Sequence, residues 1–399
     1  MTKVYDADVI IAGAGPCGTT AAYHLQKSGI HTLILEKTSF PRYKVCGAGL
    51  THKILSILPY DISQVIHTTI HSFRFSAGLS DIFTRTSELP LMYCTMREEL
   101  DAFLLNKASE AGAMALTDEK VIDLSQDTNG VVVKTSKGEY NSRYVIGADG
   151  ASSIVARKFG LNKYIEWGLA WEAEVRTTPE TLQKYFDTVF LDWGTFPGGY
   201  AWIFPKKDHF SIGIGGPARM AGRMPGYYQA FIGSTGIPVI ETISNRSHPL
   251  PVRIKKGQLH CDRALVAGDA AGLTDVLTGE GIYWAMKSGI IAAEVIRERI
   301  GGKTTDLSLY SRRIDSEIMP EMLEAKNICR LFNAMPLRIH HWVRDRERVW
   351  KAFGKVLRGE RSFTDVPRAF GKWKPLWRPA CALASVGQKI REKNYMKNG

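Results

Sequence analysis

The sequence predicts an α/β fold, α+β over the whole chain, built from a parallel-sheet domain, a second antiparallel-sheet domain and a C-terminal helical region. Three observations predict it. Residues 8–12 (DVIIA), a glycine-rich turn, a helical stretch over 19–28 and the apolar run HTLILE ending at Glu36 read as strand, turn, helix and strand, the opening unit of a parallel sheet. Between about 167 and 251 the pattern changes to short alternating strands rich in aromatics, as in an antiparallel sheet with one covered face. RALVAGDAAG, from Arg263, then returns to the grammar of a buried strand and a glycine turn, and leads into a helix over 281–299.

The expected division is therefore discontinuous. Residues 1–70, 92–165 and 252–302 make the first domain, 71–91 and 166–251 the second, and 303–399 the helical region. Within the first, leucine and alanine recur at helical spacing over 96–112, and 131–133 and 144–148 read as strands.

Composition bounds the reading. With 399 residues, 44% hydrophobic and 23% charged, the chain can bury a sizeable core, which excludes disorder, collagen and coiled coil. The longest charge-free run, 9–26, contains glycines, a proline and hydroxyls, so no transmembrane helix is expected. The strand pattern begins almost at once and leaves no room for a leader, so the expected location is cytoplasmic. Six cysteines lie far apart with none at CxxC spacing, which predicts reduced thiols and no metal cage. The net charge of +12 is uneven: 337–399 carries 16 of the 52 basic residues but only 5 of the 40 acidic ones.

Gly13-Ala14-Gly15-Pro16-Cys17-Gly18 follows a strand and opens a helix. Backbone N–H groups and the positive helix end can there face a pyrophosphate without obstruction from Cβ atoms. Glu36, at the end of the second strand, is placed to accept hydrogen bonds from an adenosine ribose. This is a Rossmann-like dinucleotide site.

Two further strings choose the dinucleotide: GADGASS at 147–153 and AGDAAGLTDVLTGEGI at 267–282. With GAGPCG they resemble the flavoprotein group that includes para-hydroxybenzoate hydroxylase, and the resemblance implies bound FAD. It places Asp149 and Gly150 against the pyrophosphate region and Asp269, after the tight turn at Gly268, on the flavin-side ribitol. Gly279, Gly281 and Ile282 would approach the flat ring, and Arg97, near a helix start, matches an arginine that contacts FAD.

Pro197 to Lys206 (PGGYAWIFPK), FPRYKVCGAGL at 40–50 and LTGEGIYWA resemble the geranylgeranyl reductase family over roughly residues 5–300. That resemblance implies saturation of trisubstituted double bonds in a polyprenyl chain carried by a lipid, diphosphate or quinone. Tyr200, Trp202 and Phe204 alternate along a strand and can form an aromatic wall, with Pro205 completing the substrate-binding set. An isolated prenyl alkene needs a proton as well as a hydride, and Cys46 and Tyr200 are the candidate donors or positioners. A monooxygenase or halogenase of the same fold is the alternative, separated by oxygen dependence; a non-catalytic flavin-containing lipid carrier is a second. The electron donor, NAD(P)H or ferredoxin, is left open. The basic tail interleaves its cations with Trp342, Trp350, Trp373, Trp377 and several phenylalanines. That composition predicts peripheral association with an anionic membrane surface rather than nucleic acid.

Overall fold

The computed structural model describes residues 6–369 and 371–398. Its first sheet has seven strands. Met114–Leu116, Thr32–Leu35, Ala7–Ala12 and Glu139–Gly147 run side by side in parallel, and Ala264–Val266 adds to the end of Glu139–Gly147 in the same direction. Val131–Thr135 and Val121–Gln126 extend the other half of Glu139–Gly147 as an antiparallel pair. The centre, Val9 to Ile11, is fully buried, as a strand covered by helices on both faces must be. On one side Pro16–Lys27 packs between Arg97–Glu110 and Ile282–Ile300. The distant strand Ala264–Val266 thus joins this sheet.

Two backbone turns meet where the central strands end. Gly13 has φ +99°, and a Cβ there would sit 2.4 Å from the carbonyl oxygen of Ala148. Only glycine lets the turn after Ala7–Ala12 lie against the turn after Glu139–Gly147.

The second sheet is ordered Glu241–Arg253, Ile165–Arg176, Phe210–Pro217, Tyr200–Pro205, Thr188–Trp193, Ser72–Ala77, Ser80–Thr86. It differs from the sequence expectation at one pair: Thr188–Trp193 runs parallel to Ser72–Ala77. The reason is connectivity, since these two strands are separated by more than a hundred residues, many of them in the first sheet and its helices, and need no hairpin. One face is apolar. Ala173, Val175, Ile203, Ile212 and Ile214 pack there against Tyr227 and Phe231 of the helix Met224–Thr235. Strand alternation puts Glu172, Trp202, Phe204 and Gly213 on the opposite face, toward the first sheet.

The C-terminal region is helical, with Ser308–Glu317, Met319–Ala334, Pro336–Asp345, Glu347–Leu357 and Trp377–Asn398 as its longer members. It is not a separate appendage. Trp350, Val343 and Leu357 share a core with Phe73, Phe75 and Trp193 of the second sheet. Among the described residues no helix is long and apolar enough to cross a membrane.

Gly13→Ala is expected to destabilise the protein by at least about 1–2 kcal/mol from the left-handed backbone alone, with the Ala148 contact adding to it. Urea denaturation of the variant against the parent checks this.

Candidate active site

A cavity of about 1280 Å³ lies where the two sheets and the C-terminal helices meet. Single ligand sites usually hold about 300–1,000 Å³, so this space has room for a large cofactor and a second guest. Gly15, Pro16, Cys17, Gly150, Asp269 and Gly281 line one end. Trp202 and Phe204 line another part of the wall, and Phe332, Val349 and Phe353 of the C-terminal helices continue it.

The cofactor end is built mostly of backbone. Helix Pro16–Lys27 starts at Gly15 with no side-chain cap, so the N–H groups of its first turn remain for an anion. A Cβ at Gly150 would meet nothing within 4 Å, and one at Gly15 only the Arg42 guanidinium at 3.9 Å. An uncapped helix end in an open glycine cradle suits a pyrophosphate, and Asp269, approached by Thr274 Oγ1 at 3.3 Å, supplies an acceptor for hydroxyls. These residues fit FAD.

Arg97, Gly279 and Ile282 also line the cavity. Arg97 is buried and bidentate to Asp101, at 2.7 and 2.8 Å; burial opposes its charge, and Asp101 more than offsets this. The other residues singled out from the sequence stand behind the wall and shape it. Gly13 meets Ala148, Gly18 packs on Gly13, and the Gly268 N–H donates to Ser288 Oγ. Glu36 Oε2 accepts the Ala14 N–H at 2.9 Å, tying the glycine turn to the second strand. Asp149 accepts the Ile154 N–H at 2.7 Å and starts the next helix; burial raises its pKa.

On the second sheet, Tyr200, Trp202 and Phe204 share one face, with ring centroids 5.7 and 6.2 Å apart along the row. Trp202 lies flat over Gly213, where a Cβ would fall 2.2 Å from the indole, so this glycine makes room for the ring. Pro205 does not join the row. By the same alternation it belongs with Ala201 and Ile203 on the helix-covered face. The Tyr200 hydroxyl donates to the Thr278 carbonyl, and burial raises its pKa. Tyr200 therefore positions the loop before Gly279, its own proton committed.

Cys46 lines the cavity; its Sγ accepts the Ala48 N–H at 3.4 Å and its own N–H donates to Glu172 Oε1 at 3.1 Å. The sequence reading missed the polar groups around it. Lys206 has no exposed surface, and its ammonium donates to the carbonyls of Gly47 at 2.6 Å and Thr95 at 2.8 Å. Lys44 Nζ lies 3.0 Å from His248 Nε2; burial and then the Lys44 charge push His248 down to about 4, which leaves a neutral acceptor for the lysine. Burial first, then the neighbouring Glu174, push Glu172 up to about 7 against the pull of Lys206. The one signal available was WEAEV at 171–175, two acids at alternate positions of an otherwise apolar strand. Among the described residues no cluster could hold a metal ion.

The basic tail divides. Trp350 and Trp377 are buried and Trp342 is exposed, while the Trp373 side chain and Phe370 lie outside the described residues.

Glu172 makes stability depend on pH. Its folded value, about 7, lies above the ordinary 4.5, so its contribution is fully present below 4.5 and is lost as pH rises toward 7. Glu172→Gln is expected to remove this fall, at most roughly 3 kcal/mol at 1.36 kcal/mol per unit, and to be the more stable protein at pH 8. Urea midpoints at several pH values measure it.

Residues 6–175 match the FAD binding domain family model. An uncharacterized protein of Methanosarcina barkeri is 35% identical over 83% of this chain and 85% of its own length. Digeranylgeranylglycerophospholipid reductase 2 of Methanothermobacter thermautotrophicus is 32% identical over 76% of this chain and 81% of its own. A crystal structure of a geranylgeranyl bacteriochlorophyll reductase-like protein from Thermoplasma acidophilum shares the fold, with a TM-score of 0.71 at 24% identity over 82% of this chain and 87% of that one. FAD is the cofactor of this enzyme, and the chain belongs to the geranylgeranyl reductase family of FAD-dependent oxidoreductases.

Proposed function

We propose that the protein saturates trisubstituted double bonds of a polyprenyl chain of the geranylgeranyl type, carried by a lipid, a diphosphate or a quinone. The observation that carries this reading is the aromatic row Tyr200, Trp202, Phe204, which forms one wall of a cavity that opens at one end on the cofactor cradle and continues between apolar C-terminal helices. An unbranched polar substrate has no use for such a wall; a long unsaturated hydrocarbon does. Bound FAD, when reduced, supplies hydride.

The chain's own residues do the rest. Gly15 to Cys17 hold the pyrophosphate on the helix end, and Asp269 takes the ribityl hydroxyls. Trp202 and Phe204 hold the prenyl chain in a near-attack pose and keep water from it. Tyr200 fixes the loop at Thr278, and Cys46 stands at the wall as a thiol able to meet the alkene. Arg330, Arg348 and Arg361 line the cavity beside the C-terminal helices and suit an anionic head on the substrate.

The membrane reading rests on a different surface from the one composition suggested. Leu383, Val386 and Ile390 lie on one face of Trp377–Asn398, 74, 57 and 56% exposed, with Lys389 and Lys393 alongside. Apolar residues flanked by cations match an anionic lipid surface.

Holoenzyme reduced by dithionite without oxygen is expected to add two hydrogens per double bond to geranylgeranyl diphosphate or a geranylgeranylated phospholipid, seen by mass spectrometry of the lipid extract. Product formed only with oxygen, or flavin that no prenyl compound reoxidises, overturns the reading. The triple variant L383D/V386D/I390D is expected to bind vesicles containing anionic lipid at least about tenfold more weakly in co-sedimentation, roughly the loss of one buried aliphatic side chain.

A further inference from the structure

We propose that Glu172 is the proton donor of the saturation reaction and that Ser211, Glu174, His209 and Asp208 form the route by which solvent refills it. The proposal rests on the prenyl reductase reading above and supplies the half of the reaction that reading leaves without a sufficient acid.

The placement comes first. Glu172 lies on the cavity wall yet is only 1% exposed. One carboxyl oxygen is held by the Cys46 N–H, so the group sits against the backbone of the residue that carries the wall thiol. The other, Oε2, has no hydrogen-bond partner among the described residues. That oxygen is itself buried, and a proton on it is committed to no acceptor among the described residues.

Its surroundings favour the protonated form more than those of an ordinary carboxyl do. Glu174 shares its strand and its face, and burial disfavours a second negative charge. Lys206 faces it from the end of Tyr200–Pro205, but its ammonium is already satisfied by two carbonyls. Tyr43 and Cys46 face it from the 40–48 loop, and Tyr43 is itself pushed up to about 12, by burial first and then by the two carboxyls.

A row of polar groups leads outward from the same strand. Ser211 pairs with Glu174 in the sheet register and sets a buried hydroxyl beside Glu172; a hydroxyl can accept one proton while giving another. Glu174 Oε2 lies 3.0 Å from His209 Nε2, and His209 Nδ1 lies 2.7 Å from Asp208 Oδ1. The Asp208 side chain is 70% exposed. Both ring nitrogens of His209 are thus engaged, one toward solvent and one toward the interior, as a relay requires.

In the step, the O–H bond of Glu172 breaks and a C–H bond forms at one alkene carbon. The other carbon takes the hydride, whose electron pair closes the second C–H bond. Glu172 is left as a carboxylate and regains its proton from water along the path. The two electrons are those of reduced FAD, replenished by a nicotinamide or ferredoxin-type donor.

Single-turnover reoxidation of dithionite-reduced holoenzyme by geranylgeranyl diphosphate, without oxygen and across a pH series, tests this. Glu172→Gln keeps the Cys46 hydrogen bond but has no acid proton. It is expected to slow reoxidation about 100-fold or more and to flatten the pH profile, with flavin absorbance and substrate binding retained. Glu172→Asp is expected to recover part of the rate. His209→Gln is expected to leave the first turnover near normal and slow only continuous turnover, which a merely structural histidine would not do. The infrared carbonyl band of a protonated carboxyl, in holoenzyme without substrate, is expected to vanish in Glu172→Gln. Parental reoxidation rates in Glu172→Gln, or no such band in the parent, overturn the proposal alone. A parent that no prenyl substrate reoxidises overturns the function as well.

Discussion

The site depends on a charge with nowhere to go. Lys206 carries an ammonium with no exposed surface, which would cost several kcal/mol if left unpaired, and two backbone carbonyls, from Gly47 and Thr95, offset that. Those carbonyls belong to the loop that carries Cys46 and to the approach to the Arg97 helix. A single side chain therefore locks the segments at Gly47 and Thr95 onto the end of the aromatic strand. The same charge acts on Glu172 and offsets part of the cost of burying a carboxyl that shares its face with Glu174.

Strand alternation then separates two jobs within the same residues. Odd positions of Ile165–Arg176 and Tyr200–Pro205 bury apolar groups under Met224–Thr235, and even positions hold the acids and rings that face the cavity. A slip of one residue would exchange core and site, so the apolar face that stabilises the sheet also fixes the register of the chemistry. Opposite, the first sheet contributes little but backbone: a helix end, two turns in contact, and an acceptor at Asp269. One side offers geometry and the other side chains.

What was legible in the sequence follows from this. The glycine turns were readable because their demand is local: Gly13 needs positive φ and Gly18 close approach whatever surrounds them. The aromatic row was readable because a strand has period two, and the same rule removes Pro205. The acid at Glu172 and the Lys44–His248 pair were not readable, since their partners lie 126 and 204 residues away and only the fold brings them together. Composition misled at the tail. Trp350 reads as an interfacial tryptophan beside its many cations, but its helix turns one face inward and packs it on Phe73 and Phe75.

That packing gives the tail a second meaning. Helices Met319–Ala334 and Glu347–Leu357 close the cavity without contributing a rung to either sheet ladder. On the proposed reading, lengthening, shortening or resurfacing them would alter how long a hydrocarbon fits while the redox end and its hydrogen-bonded frame stay as they are. Ruler and reactor would then lie on separate parts of one chain, each open to change without disturbing the other.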